Sequence, residues 1–389
     1  MRRRVCMFTD SHEPSGLGEH LLTLATELSA AWDVSVVCPP TRAGLSFLAR
    51  ARTLDLSTLP LDVSDTASED DLVEWLRARA IDVFHCHAGV AWEGHHGIYA
   101  ARSAGVPIVV RTEHLPNVVT DPGQRSDHAR IVELADRVIC VSEGVRASFP
   151  SFGVAQRKVR AILNGIRPRR VRANRLALRR ELGLSSSSRI ALTVGRMTEQ
   201  KGYDRLVRAA PSIVSGAPDI VLVWVGSGPL EAELRAVVRE ADLEARVRFL
   251  GRRRDVPALL AASDLLVLPS RFEGLPLVVL EAMAAGLPVV GTRACGIVEA
   301  VVDGETGRLV DGSDIDALAD AVLDTVRDPA RAERWGQAGR TRVARKFGAA
   351  RMARETAALY KELLGDAELA ASRAEDTAVA GGGSAASRR

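Results

Sequence analysis

The sequence predicts two doubly wound α/β domains in tandem. Three observations carry that prediction. Short, continuous apolar runs recur along the chain and read as strands buried on both faces. Between most of them lie stretches with apolar residues at helical spacing. The alternation also pauses once, at a basic, proline-containing connector over residues 167–175, and then starts again. A chain of 389 residues is long enough for two domains of ordinary size.

The elements follow in order. A strand at 5–9 leads into the turn Gly16-Leu17-Gly18 and a helix with Leu17, Leu21, Leu24, Ala25 and Leu28 on one face. A second strand is expected at 34–38, and residues 39–57 read as irregular. Further strands are expected at 83–87, 108–111, 138–141 and 159–162, and this half ends near Asn164. The second series has strands at 190–194, 220–225, 247–250, 265–268, 289–290 and 308–310. Its helices fall near 203–215, 229–241, 255–262, 275–285, 314–327 and 330–346. In the fourth of these Pro276 sits in the first turn, where a missing N–H costs nothing, and Gly286 and Pro288 stop the helix. A last amphipathic helix spans 350–364. Beyond it the chain is mostly Ala, Ser, Gly, Glu and Arg, so residues 365–389 are expected to be disordered. The domains are placed at 1–168 and 169–349, facing each other across a cleft of the kind that favours ligands.

Composition narrows the function classes. A net charge of +3 demands neither nucleic acid nor membrane. The five cysteines are scattered with no CxxC pair, which fits buried thiols in a reducing cytosol. No apolar run approaches the ~20 residues of a membrane span, and the N-terminus is too short in apolar residues for a signal peptide. Leu45, Phe47 and Leu48 beside Arg42, Arg50 and Arg52 do have the pattern of a membrane-surface segment. A peripheral contact with the inner face of a membrane is therefore carried beside a purely cytoplasmic location.

The chemistry gathers at strand-to-helix turns. Residues 195–202, GRMTEQKG, follow one strand and precede a helix, which puts Gly195, Arg196 and Lys201 at a strand's carboxyl end beside a helix N-terminus. Two cations with free N–H groups make a diphosphate pocket. The turn VGSGP at 225–229 repeats the pattern. Residues 270–290, SRFEGLPLVVLEAMAAGLPVV, place Glu273 in a loop before a helix and Glu281 inside an apolar one, where a buried carboxylate needs a partner. Gly16 and Gly18 could bring backbone N–H groups to a phosphate from the other domain. His114 ends an apolar strand and could bond a sugar hydroxyl or move a proton. His85 and His87 share a strand face, and no zinc-type ligand spacing is met around them.

Taken together, these motifs resemble a retaining glycosyltransferase of family 4. The pieces are Gly16/Gly18, DVFHCH at 82–87, RTEH at 111–114, ADRVICVS at 135–142, LNGI at 163–166, Arg196 with Lys201 and Gly202, VGSGP at 225–229, and Glu273 with Glu281 as an E-x7-E pair. Where many members carry adjacent glycines, this chain reads Ser15-Gly16-Leu17-Gly18.

The resemblance implies the GT-B fold: two Rossmann-like domains, an acceptor-binding one and a nucleotide-sugar-binding one, with the final helix packing back on the first. Arg196 and Lys201 would neutralise the leaving nucleoside diphosphate, and Glu281 would accept hydrogen bonds from the ribose. Glu273 and the N–H groups of Gly274, Leu275 and Leu277 would hold the transferred sugar and its phosphate. His114 would contact that sugar, Gly16 would reach the phosphate, and the loop around Arg252 would frame the base. A UDP- or GDP-linked hexose would pass to a hydroxyl acceptor by a front-face route, with no metal, no cofactor and no nucleic-acid partner. An epimerase or a non-catalytic nucleotide-sugar binder on the same fold is the alternative; the Arg196/Lys201 pair with the E-x7-E helix favours transfer.

Overall fold

A computed structural model of the chain describes residues 2–149, 156–168 and 175–382. The chain divides into two compact units: Met1–Cys140 with Ser148–Ile162 and Ala350–Arg389, and Val141–Ala147 with Leu163–Ala349. The division expected after residue 168 thus falls at Ile162/Leu163. The reason is local: the Asn164 side-chain amide donates to the Leu275 carbonyl at 2.7 Å, and Ile166 bridges to Gly348, both partners lying in the second unit. Most of the expected connector lies outside the described residues.

The first unit holds a seven-stranded parallel sheet. Its strands are β1 (Arg4–Phe8), β2 (Asp33–Cys38), β3 (Ser57–Pro60), β4 (Val83–Ala88), β5 (Ile108–Glu113), β6 (Arg137–Cys140) and β7 (Val159–Ala161), in the order β3-β2-β1-β4-β5-β6-β7. Alternation along β1 shows why the strand reads as a continuous apolar run. Val5 and Met7 enter one core, Cys6 and Phe8 the other, and both faces are covered by helices.

Two elements here were not expected. Residues 39–57, read as irregular, form the helix Arg42–Arg52, capped by Thr41, whose side chain accepts from the Gly44 N–H at 3.0 Å, and then the start of β3. On that helix Phe47 and Leu48 are buried in the unit's own core and only Leu45 is exposed. Two of the three apolar side chains that suggested a membrane-surface segment therefore face inward. Among the described residues, no helix is long and apolar enough to cross a membrane.

The final helix runs Ala349–Gly382, past the end expected at 364. The alanines and glutamates that argue against a packed core are also strong helix formers. Its first turns belong to the first unit's core: Met352, Leu359, Tyr360, Leu363 and Leu364 join the cluster that contains Val5, Met7 and Trp32.

The second unit holds a six-stranded parallel sheet: β8 (Arg189–Val194), β9 (Ile220–Val225), β10 (Val247–Phe249), β11 (Leu265–Leu268), β12 (Val289–Thr292) and β13 (Gly307–Val310), ordered β10-β9-β8-β11-β12-β13. Strand order reverses between β8 and β11. Loops that leave the carboxyl ends of strands at such a point diverge to opposite faces and leave a crevice. In the first unit the same point lies between β1 and β4.

Candidate functional site

The second unit's site is built on the loops after β8 and β11. Leaving β8, residues 195–202 cross the sheet edge, turn through a 3-10 turn at Glu199–Lys201 and enter the helix Tyr203–Gly216. Gly202 makes that entry possible. Its φ is +68°, and a Cβ there would lie 2.0 Å from the Pro269 carbonyl oxygen. Gly202→Ala is therefore expected to destabilise the protein by at least about 2 kcal/mol, read as a fall in the denaturant midpoint; an unchanged midpoint would contradict this account of the turn.

The glycines of the VGSGP turn do related work. A Cβ on Gly226 would strike the Gly195 carbonyl at 1.9 Å, and one on Gly228 would meet the Met197 carbonyl at 2.4 Å. The Met197 N–H donates to the Ser227 carbonyl at 3.0 Å and the Tyr203 hydroxyl to the Gly195 carbonyl at 3.1 Å. That Gly-rich turn thus serves as a backbone support that shapes the loop beside it. Arg252, exposed, donates to the Ser227 hydroxyl at 2.9 Å and lies along the same edge.

The two loops are stitched together. Arg271 holds Asp204 through two 2.7 Å hydrogen bonds and donates to the Glu199 carbonyl, and its own N–H donates to the Gln200 carbonyl. This brings Lys201 to Glu273: Nζ lies 2.6 Å from Oε1, an oxygen that also accepts from the Ser270 hydroxyl at 2.7 Å. Glu273 is buried, Lys201 is half-buried and Arg196 is exposed in the same loop.

Just beyond Glu273 the helix Leu277–Ala284 begins, with Pro276 as its N-cap, two residues later than its expected start. The Pro276 φ of −69° and ψ of 120° direct the chain from an extended approach into the helix. Among the described residues no side chain caps this end, which leaves the N–H groups of the first turn without a side-chain acceptor. Gly296 supports the approach: a Cβ on it would meet the Gly274 carbonyl at 1.7 Å. Gly274 and Leu275 are buried and Leu277 is half-buried. Glu281, expected to be a buried acid, is also only half-buried. It sits one turn beyond Leu277 and Val278, on the less covered face of the helix, while Val279, Leu280, Ala282 and Met283 fill the core. The E-x7-E pair therefore consists of one buried, paired carboxylate and one that water can reach.

The first unit's candidate residues cluster at its own reversal point. Gly16 is exposed and opens the helix Gly16–Leu28, whose N-cap Ser15 makes no side-chain cap. Gly18 is buried, and a Cβ there would press on Pro14 and Phe47 at 3.0–3.2 Å. Of the two glycines, then, Gly16 has its N–H at an open helix end and Gly18 serves packing.

His114 follows β5 and is half-buried; its N–H donates to the Ala88 carbonyl at 3.0 Å. His114 Nε2 lies 3.3 Å from Nδ1 of His87 at the end of β4, and its ring meets that of His20 edge-on at 4.6 Å. Burial pushes the pKa values of His87 and His114 well below the usual imidazole value, so both rings are neutral near pH 7. His85 is pushed down to about 3 by burial, and both its nitrogens are engaged, with Tyr360 and with Thr112.

Arg111 of the RTEH motif is wholly buried. It pairs with Glu113 at 2.6 Å and donates to the Ala91 and Glu93 carbonyls, which fixes the loop after β4. Sequence reasoning missed His20. It lies on a helix read only for its leucines, and the one available signal is that all eight histidines fall within the first 128 residues.

Comparison with known proteins decides the family. The model described as Glycosyltransferase Family 4 matches residues 14–170, and that described as Glycosyl transferases group 1 matches residues 174–342. The alpha-maltose-1-phosphate synthase of Mycolicibacterium smegmatis is 31% identical to this chain, over 92% of the chain and 99% of that protein.

The chain belongs to glycosyltransferase family 4.

A Corynebacterium glutamicum relative of this glycosyltransferase, a GDP-mannose-dependent monoacylated alpha-(1-6)-phosphatidylinositol monomannoside mannosyltransferase, is 31% identical over 62% of the chain and 67% of its own length. Among solved structures, Anabaena Alr3699/HepE in complex with UDP and glucose superposes with a TM-score of 0.82 at 19% identity, over 93% of this chain and all of that one. The fold of this glycosyltransferase is GT-B, built from two parallel-sheet α/β domains.

Proposed function

We propose that this glycosyltransferase moves a hexose from a UDP- or GDP-linked donor to a hydroxyl acceptor, with retention at the anomeric carbon and without a metal ion in the transfer. The observation that carries the reading is the second unit's cluster: Lys201 at 2.6 Å from Glu273, Arg196 in the same loop, and an uncapped helix end at residues 274–277. Two cations and open N–H groups at a point of strand reversal suit a diphosphate. The relatives' names are consistent with a nucleotide-sugar donor: one is GDP-mannose-dependent, and the solved neighbour holds UDP and glucose.

On this reading Arg196, Lys201 and the N–H groups of Gly274, Leu275 and Leu277 stabilise the charge that develops as the anomeric C–O bond breaks and its electron pair passes to the phosphate. The acceptor oxygen attacks the same face of the sugar, and its proton goes to a departing phosphate oxygen. Glu273, held by Lys201 and Ser270, accepts hydrogen bonds from the sugar, and Glu281, at its half-exposed position, accepts those of the ribose. The loop with Gly195 frames the diphosphate and the loop with Arg252 the base. Gly16 reaches the phosphate, and neutral His114 donates to a sugar hydroxyl. Because both UDP and GDP would offer the same ribose and diphosphate, these contacts set affinity and leave the base to the Arg252 loop. On this reading the protein works in the cytoplasm or at the inner face of a membrane.

Calorimetry with UDP, GDP and 2′-deoxy-UDP tests the assignment. Wild type is expected to bind at least one of the ribonucleotides. Glu281→Ala is expected to bind it at least about tenfold more weakly, about 1.4 kcal/mol, and to discriminate no longer against the 2′-deoxy form. Retention is read from the anomeric coupling of the product formed from UDP-glucose or GDP-mannose. If neither nucleotide binds, or Glu281→Ala keeps full discrimination, the assignment falls.

A further inference from the structure

Beyond the nucleotide site, we infer that His20, His87 and His114 form a binding site for a zinc-class transition-metal ion, and that an ion bound there blocks transfer. Each residue offers one ring nitrogen, and the three lie within 4.8 Å of one another. His87 Nδ1 and His114 Nε2 are already 3.3 Å apart. Two nitrogens at 2.0–2.1 Å from a tetrahedral zinc ion stand about 3.3 Å apart, so one edge of the coordination figure exists before any ion arrives. The other edges close by small rotations of side chains on three different elements: the helix Gly16–Leu28, β4, and the turn after β5.

The surroundings fit a ligand more readily than a finished hydrogen-bond network. His87 is fully buried; its Nδ1, the nitrogen on that edge, faces another imidazole nitrogen rather than a carbonyl or carboxylate, and among the described residues its Nε2 has no hydrogen-bond partner that would fix the ring in one tautomer. His85, two positions away on the same strand face, is by contrast satisfied at both nitrogens and takes no part. His114 is half-buried, which provides a route of entry and room for a fourth ligand from solvent.

The donor set decides which ion. Three imidazoles without a carboxylate select zinc, copper or nickel over magnesium or manganese, which prefer oxygen. Among the described residues no carboxylate joins the three rings, so the site takes up an added ion reversibly rather than holding one through folding. An ion on the His114 ring takes a nitrogen away from the sugar. The blocking step therefore rests on the reading that His114 contacts the sugar. The binding step does not, and the two are measured separately.

Calorimetry with ZnCl2 is expected to show one ion per chain, MgCl2 none, and CoCl2 to give the intense visible bands of tetrahedral cobalt. His20→Gln and His87→Asn, each checked for folding by circular dichroism, are expected to weaken zinc binding at least about tenfold. His20 has no role in the proposed transfer, so His20→Gln keeps its turnover within about threefold but escapes zinc inhibition that EDTA reverses in wild type. No zinc uptake up to about 0.1 mM, or uptake unchanged in both folded variants, overturns the site. Uptake without inhibition overturns the blocking step and counts against the sugar contact of His114, while leaving the metal site standing.

Discussion

Lys201→Ala is expected to lower kcat/KM at least about 100-fold, about 2.7 kcal/mol of barrier, the scale on which one preorganised charge acts in a water-poor site. The same change should also cost stability. Lys201 is the cation paired with buried Glu273, and among the described residues removing it leaves the carboxylate only the Ser270 hydroxyl as a partner. An uncompensated buried charge costs about 3–5 kcal/mol where burial is complete. With the Lys201 side chain 18% exposed, water can reach the space it leaves, and about 2–3 kcal/mol is expected.

A fall in activity alone would therefore not separate a catalytic cation from a structural one. The double variant Lys201→Ala/Glu273→Gln does. The neutral amide that replaces the carboxylate needs no counter-ion and can keep the Ser270 contact, so stability should return to within about 1 kcal/mol of wild type. Activity should stay low, because the charge facing the diphosphate is still absent. Arg196→Ala completes the set: Arg196 is exposed, so it should lose at least about tenfold in kcat/KM with an unchanged denaturant midpoint. If the double variant regained activity along with stability, Lys201 would serve only to hold Glu273, and the leaving group would have to be neutralised elsewhere.

Much of the architecture was legible because parallel strands announce themselves. β9, IVLVWV, is buried at every position and cannot be mistaken for a half-exposed strand. β3 escaped because Ser57–Pro60 is an edge strand with one aliphatic residue and a terminal proline, the composition of a turn. The helix Arg42–Arg52 escaped because arginines interrupt its apolar face, although Thr41 three residues before Gly44 was a readable cap. At the candidate site, the cations and Glu273 could be named from their loops, and Glu281 from its helix. Their pairing could not, since Lys201 and Glu273 are 72 residues apart and meet only because β8 and β11 are neighbours in the sheet. Glu281 misled for a related reason. An acid in an apolar helix reads as buried, but a face is covered only where another element packs on it, and that depends on strand order.

The second large effect concerns the end of the chain. Deleting residues 349–389 is expected to unfold the first unit while the second keeps its structure. The deleted helix supplies Met352, Leu359, Tyr360, Leu363 and Leu364 to the first unit's core, all at 7% exposure or less. At about 1.5–3 kcal/mol per buried large apolar side chain, these five contribute about 8–15 kcal/mol, which equals the whole net stability of a typical domain. Losing the helix also recovers its ordering entropy, which reduces the net loss. It leaves Trp32, whose ring meets Tyr360 at 5.4 Å, facing water, and it strips the Tyr360 hydroxyl from the fully buried His85. Both effects fall on parts of the sheet that remain, so they are not recovered.

Deleting only residues 370–389 removes no large apolar side chain except Val379 and should change stability by less than about 1 kcal/mol. Tyr360→Phe lies between: it keeps the ring and orphans one buried nitrogen, for about 1–3 kcal/mol. Hydrogen exchange followed by peptide reads the two units separately. The longer deletion should abolish protection in β1, β2, β4 and β5 and leave β8, β9 and β11 protected. Protection of β1 and β4 surviving that deletion would mean that the sheet's own helices suffice to cover it, and that the final helix adds surface contact rather than core.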